Sequence, residues 1–194
     1  MSDFKIAVLI SGNGSNLQAI IDKFKRSELV EVCCVISNKE DAYGLKRASK
    51  EQINNHFLDH SKFNSRKDFE RGLIEILEQY NPDLIVLAGF MRILSDLFVN
   101  KYIGRLINIH PSLLPKHKGL NTHEKVIKEK DEFHGVTVHF VDNTLDGGPI
   151  CAQSSFRVET QDINELQEEV HKLEHEIYPQ VIEEIAKGNI TLNN

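Results

Sequence analysis

No apolar stretch in the sequence is long enough to cross a bilayer. The longest, Leu84 to Met91, falls far short of the roughly 20 residues a transmembrane helix requires. Nor does the start resemble a secretory leader: Met1-Ser2-Asp3-Phe4-Lys5 runs straight into strand-like sequence, without basic and apolar regions. The expected address is cytoplasmic. Cysteine is scarce, and Cys33, Cys34 and Cys151 form neither a disulfide framework nor a metal-binding spacing. Cys33 and Cys34 lie inside an apolar run, where a thiol packs as a small hydrophobe. Positive charge is short as well. The chain has 23 Lys and Arg against 29 Asp and Glu, a net charge of −6, which argues against a general nucleic-acid surface. A single small anion in a locally positive pocket remains compatible with that balance. Low-complexity tracts, internal repeats and linkers are all missing. The 194 residues therefore read as a single domain, 1–194, in two joined halves of about 1–106 and 107–194.

What is present is an alternation of buried strands and amphipathic helices. Phe4 to Ile10 is a short apolar run, Ser11 to Asn16 supplies small turn formers, and Leu17, Ile20, Ile21 and Phe24 follow at helical spacing. Val30 to Ser37 reads as a second strand, with a helix near Gly44 to Glu51 and a third strand over Ile53 to Leu58. Phe69, Leu73, Ile76, Leu77 and Tyr80 mark a helix that Asn81-Pro82 stops. Leu84 to Ala88 is apolar on both faces, as at the centre of a parallel sheet. Beyond Leu106-Ile107-Asn108 the pattern changes to two longer strands, Gly135 to Val141 and Ile150 to Phe156. A long closing helix follows, marked by Leu166, Val170, Leu173, Ile177, Val181 and Ile185, with a kink or break expected at Pro179. The fold class is α/β: a Rossmann-like, mostly parallel sheet with helices on both faces, a C-terminal antiparallel extension and a long closing helix. Ligands of such sheets gather beyond the carboxyl ends of the strands, at 11–16, 88–94 and 108–123.

Three motifs there can carry chemistry. Ser11-Gly12-Asn13-Gly14-Ser15-Asn16 lacks the Gly-Lys-Ser/Thr ending of a nucleoside-triphosphate loop. It also fails the dinucleotide fingerprint, because Leu17 stands where the third glycine belongs. What it offers is free backbone N–H groups at a helix start, suited to a terminal phosphate monoester. The plain alternative is a tight turn with Ser or Asn capping the helix. In Asn108-Ile109-His110-Pro111-Ser112, residues two apart on an extended chain point the same way. The Asn108 amide and His110 imidazole thus face one space, where they could hold an oxyanion and move a proton. With nine histidines in the chain, a structural histidine is the competing reading. Leu145-Asp146-Gly147-Gly148-Pro149 is a turn by composition, but an Asp146 carboxylate set against His110 would stabilise the imidazolium. Arg66 and Gly89 to Leu94 are weaker signals. His117 and His123 fall in a loop rich in Lys, Gly and Asn, for which mobility is the expectation. No pattern for a covalent nucleophile or a metal stands out.

Together these pieces resemble the phosphoribosylglycinamide formyltransferases. The resemblance is carried by Ile10 to Gln18, Leu87 to Leu94, Asn108 to Pro115 and Gly135 to Pro149, in that order and across essentially the whole chain. It implies two small-molecule substrates, glycinamide ribonucleotide and the co-substrate 10-formyltetrahydrofolate, with no metal, nucleic acid or membrane partner, and a monomer or homodimer. The ribonucleotide phosphate is implied on Gly14, Ser15 and Asn16, with its amine near Glu174. Folate is implied against Arg66, Met91, Arg92, Ile93, Leu94 and Asn108. Catalysis is implied for Asn108 and His110, which would stabilise a tetrahedral oxyanion formed by direct amine attack. Asp146 would orient the charged His110.

Two positions depart from the family: Asn121 stands where a histidine is common, and His171 where an amide or cation is. The related hydrolases of formyltetrahydrofolate usually add an N-terminal regulatory domain, for which a first strand at Phe4 leaves no room. Methionyl-tRNA formyltransferases add a C-terminal domain and need a basic surface. A non-catalytic sensor of a phosphorylated metabolite would account for the 11–16 loop, but not for Asn108, His110 and Asp146 in one pattern.

Overall fold

The computed structural model describes residues 4–192. Its frame is a seven-stranded sheet built from β1 (Phe4–Ile10), β2 (Val30–Ser37), β3 (Asn55–Phe57), β4 (Leu84–Leu87), β5 (Leu106–His110), β6 (Phe133–Phe140) and β7 (Ile150–Arg157). The spatial order is β3-β2-β1-β4-β5-β6-β7. The first five strands are mutually parallel, and β6 and β7 join antiparallel, as the expected C-terminal extension. Every residue of β4 is buried, which is what a central strand covered on both faces requires.

Helices α1 (Ser15–Phe24), α2 (Tyr43–Lys50) and α6 (Ile163–Ala186) cover one face. There Leu17, Ile20, Ile21, Val170, Ile177, Val181 and Ile182 pack on inward residues of β1, β4, β5 and β6. On the other face, α3 (Arg66–Tyr80) and α4 (Asp96–Lys101) set Phe69, Leu73, Leu77, Phe98 and Val99 against Ala7, Leu9, Ile85 and Leu87. Cys33 and Cys34 belong to this second core. The two share a face because the β1–β2 register shifts between Ile6 and Ala7.

The predicted strands and long helices are present, with end shifts of a few residues. Three short elements are additions: a single helical turn at His60–Lys62, α4, and α5 (Thr122–Glu129). Pro179 does not interrupt α6, which runs continuously from Ile163 to Ala186. The missing N–H of Pro179 is tolerated because the surrounding turn is fixed by packing: Ile177, Tyr178, Pro179, Val181 and Ile182 are all buried. Tyr178 also donates its hydroxyl to the Leu87 carbonyl at 2.9 Å and lies 3.3 Å from that of Ile107, tying α6 to the ends of β4 and β5. No helix among the described residues is long and apolar enough to cross a membrane.

Strand order reverses between β1 and β4, so the chain leaves their carboxyl ends toward opposite faces. A crevice opens there.

Candidate active site

The crevice holds a cleft of ≈ 350 Å³ lined by the whole 11–16 loop, Ala88, Gly89, Met91, Ile109 and Pro111, and by His123, Gln167, Val170, His171 and Glu174 from the helices. Gly14 occupies the N-cap of α1 in the left-handed conformation (φ 74°), and no side chain caps the helix. The Ser-or-Asn cap considered from sequence is therefore not what the loop forms. Instead the first-turn N–H groups remain open to an anion, at the positive end of the helix dipole.

Ser11, just before them, is buried. It donates to Asn38 Oδ1 at 2.5 Å and accepts from the Met91 N–H at 2.8 Å. One hydroxyl thus joins the ends of β1 and β2 to the segment after β4.

Across the cleft, Asn16 Nδ2 donates to Glu174 Oε2 at 2.9 Å. Glu174 is 6% exposed, and burial raises its pKa above the usual carboxylate range, against the opposing effect of the Asn16 hydrogen bond. The Asn16 Oδ1 is buried without a protein partner, leaving an acceptor for a ligand donor.

Ile109 and Pro111 face this cleft, so the alternate residues Asn108 and His110 lie on the other face of β5. In the antiparallel pairing Asn108 sits opposite His139, and His110 opposite Thr137. Four polar side chains thereby share one face at the end of the sheet. His139 donates from Nδ1 to the Phe140 carbonyl at 2.8 Å, leaving Nε2 to accept from Asn108 Nδ2 at 3.3 Å. Burial holds the His139 pKa below the ordinary imidazole value, which agrees with a neutral ring accepting there. This pairing fixes the Asn108 amide and leaves its second N–H available.

His110 is buried. Its Nε2 donates to the His117 carbonyl at 2.9 Å, and Nδ1 lies 3.5 Å from Asp146 Oδ2. Both ring nitrogens thus face oxygen acceptors. Asp146 adopts φ 45° and also accepts the Gly119 N–H at 2.8 Å. Gly148 after it is required by space: a Cβ there would lie 2.0 Å from the Phe140 carbonyl oxygen.

The structure therefore brings Asn108, His110 and Asp146 together, and gathers Gly14, Ser15, Asn16 and Glu174 in the adjoining cleft. Of the expected folate contacts, Met91 and Ile93 are 69% and 71% exposed, and Arg92 stacks 5.7 Å over the Phe69 ring. Leu94 is half-buried, whereas Arg66 is exposed on the first turn of α3. His139, Ser11 and Thr137 were missed from sequence. The alternation of Val136 and Val138 with Thr137 and His139 was the available signal for those two, whereas Ser11 was read only as part of the 11–16 loop and its bridging hydroxyl was not.

Mobility at 117–123 is corrected. His117 Nε2 is 2.6 Å from Asp131 Oδ2, Ser112 Oγ donates to the Lys116 carbonyl at 2.7 Å, and His123 lies in α5 with Nδ1 2.9 Å from His134 Nε2. His117 and His123 are each held by a side chain more than ten residues away, and Ser112 ties the segment locally. Among the described residues, one group has the composition of a metal site: His117, Glu129 and Asp131. There the Lys116 ammonium, 2.8 Å from Asp131, already supplies a cation.

A Rossmann-like sheet carries an uncapped helix start and an Asn–His–Asp group, and residues 4–182 match the formyl transferase family. The chain belongs to it. It is 50% identical to the phosphoribosylglycinamide formyltransferase of Escherichia coli (strain K12), over 97% of this chain and 90% of that protein. It is 40% identical to a human trifunctional purine biosynthetic protein adenosine-3, over 97% of this chain but 19% of that longer protein. Among solved structures, a phosphoribosylglycinamide formyltransferase from Coxiella burnetii superposes with a TM-score of 0.93 at 50% identity, covering 97% of this chain and 89% of that one. A glycinamide ribonucleotide transformylase from Symbiobacterium toebii gives 0.92 at 38% identity, covering 95% and 88%.

Proposed function

We propose that this protein transfers the formyl group of 10-formyltetrahydrofolate to the amine of glycinamide ribonucleotide, a step of purine biosynthesis, as a single cytoplasmic formyltransferase domain. One observation carries the reading: the Asn108, His110 and Asp146 cluster and the uncapped helix start that lines the cleft lie at the same carboxyl edge of the sheet. The near-full-length identity to phosphoribosylglycinamide formyltransferases supports it.

In this reading the ribonucleotide phosphate rests on the N–H groups of Gly14, Ser15 and Asn16. The sugar and amine extend past Glu174 toward the end of β5. Folate lies along Met91 to Leu94, with Arg66 and Arg92 near its anionic end. The amine nitrogen attacks the formyl carbon directly, and the carbonyl oxygen takes the negative charge. Asn108 donates its free N–H to that oxygen, and His110 stabilises it as an imidazolium. As the intermediate collapses, the bond from carbon to the folate nitrogen breaks, that nitrogen takes the Nε2 proton of His110, which leaves the His117 carbonyl to deliver it, and the attacking amine returns one to the ring. Asp146 holds His110 in orientation. This route forms no acyl-enzyme and calls on no metal.

Folate deformylation measured with and without glycinamide ribonucleotide, beside an assay of the formylated product, tests the reading. Deformylation that requires the ribonucleotide and equals product formation is expected. Equal folate turnover without it would make the protein a hydrolase, with the same three residues activating water. Ribonucleotide binding without any formyl transfer would make it a sensor.

A further inference from the structure

The 11–16 loop does not hold its shape alone. Helix α2 grips it from behind, on the side away from the cleft. Arg47 Nε donates to the Asn13 carbonyl at 3.0 Å, Nη2 to Asn13 Oδ1 at 2.9 Å, and Nη1 to Gln18 Oε1 at 3.1 Å. Three donors of one guanidinium are thus spent on the loop and the first turn of α1. The Tyr43 ring backs that guanidinium at 4.8 Å, which limits its swing. One turn earlier, the Gly44 N–H donates to the Gly12 carbonyl at 3.1 Å. Gly14 presses so closely on α2 that a Cβ there would sit 2.9 Å from the Gly44 Cα. Arg47 itself is not among the residues that line the cleft.

We infer that Arg47 is a positioning residue that holds the Gly12–Ser15 turn in its anion-accepting form and thereby sets affinity for the phosphate end of the substrate. The inference rests on the phosphate-binding reading of this loop given above. Its physical basis is preorganisation. A turn with left-handed Gly14 and outward N–H groups is one of many states open to a Gly-Asn-Gly segment, and a planar fork with three fixed donors selects it before the ligand arrives. Lysine carries the same charge but has no planar fork, so it cannot hold both Asn13 acceptors and Gln18 in the same geometry.

The test compares wild type, Arg47→Ala, Arg47→Lys and Gln18→Ala by calorimetric titration with inorganic phosphate, and by steady-state kinetics in both substrates. In Arg47→Ala, the Kd for phosphate and the KM for the ribonucleotide are each expected to rise about tenfold, the scale of losing hydrogen bonds to a charged group. Turnover number and folate KM should stay within about twofold, a split that general loosening of the fold would not produce. Arg47→Lys should restore little of the loss. Gln18→Ala, which removes one of the three acceptors, should raise both constants by a smaller factor, and it decides the matter should Arg47→Ala not fold. Unchanged phosphate and ribonucleotide constants in Arg47→Ala, or full rescue by lysine, would overturn the inference while leaving the proposed function standing. Failure of wild type to bind either phosphate or ribonucleotide would overturn the reading beneath it.

Discussion

His110, at the end of β5, and Asp146, in the turn between β6 and β7, face each other across 3.5 Å, with the Asp146 side chain 12% exposed. The opposite nitrogen of His110 is engaged by the His117 carbonyl, so the ring is held from both ends. In the proposed transfer this clamp keeps a cation where the oxyanion forms. Asn108→Ala and His110→Ala should each lower turnover by about 10²–10³, the typical worth of one oxyanion-stabilising donor. Asp146→Asn should lose activity and alter the pH–rate profile while retaining the wild-type circular dichroism spectrum. Wild-type turnover in folded Asn108→Ala or His110→Ala would remove the roles assigned to them.

Gly14→Ala should abolish tight ribonucleotide binding. The added Cβ meets the Gly44 Cα at 2.9 Å and must sit at φ 74°, so the loop has to open to accept it. Folate affinity measured separately by fluorescence should change little. A variant that binds ribonucleotide as wild type would show that the loop geometry is unimportant to the ligand.

Glu174→Gln should raise thermal stability near neutral pH yet weaken ribonucleotide binding. Burial raises the Glu174 pKa, so above the ordinary carboxylate value the folded state binds more protons than the unfolded state. Its contribution to stability therefore falls as pH rises through that window. Glutamine removes the buried charge and can still accept from Asn16. Melting temperatures of the two proteins at neutral and acid pH check the sign: the variant's advantage should shrink toward acid pH.

Acid should destabilise the protein through its histidines. Burial holds His56, His123, His134, His139 and His175 below the ordinary imidazole value, with His134 pushed down to about 4. Between that value and 6.5 the unfolded state binds more protons, so stability is fully present above 6.5 and is lost as pH falls toward 4. For His134, which is 1% exposed, the slope is up to about 1.4 kcal/mol per pH unit. Urea unfolding at several pH values should show it, and His134→Gln should be shallower. A flat profile in wild type would contradict this account of the buried rings.

The sheet and its long helices were legible because each buries a periodic apolar face: Leu17, Ile20, Ile21 and Phe24 on α1, and the wholly apolar β4. The short α4 and α5 carry too few turns to show a period, and their positions depend on contacts made by the rest of the chain. Asn108 and His110 were readable as neighbours on one strand, since alternation alone puts them on one face. That Asp146 reaches them depends on β6 and β7 folding back antiparallel, which residue spacing does not encode; only the family resemblance suggested it. His139 was hidden because its partner Asn108 lies across a strand pair. The 117–123 segment looked mobile by composition, yet His117 is pinned by Asp131 and His123 by His134.

The most direct test follows the formyl carbon itself. With carbon-13 in the formyl group of the folate, a single turnover in the presence of glycinamide ribonucleotide is monitored by nuclear magnetic resonance, and the protein is weighed by mass spectrometry. Direct transfer predicts that the label moves to the amide of the ribonucleotide product, that the protein mass never changes, and that Asn108→Ala slows the step in proportion to its loss of turnover. Label appearing as free formate, or as a formyl adduct on the protein, would contradict direct amine attack at Asn108, His110 and Asp146.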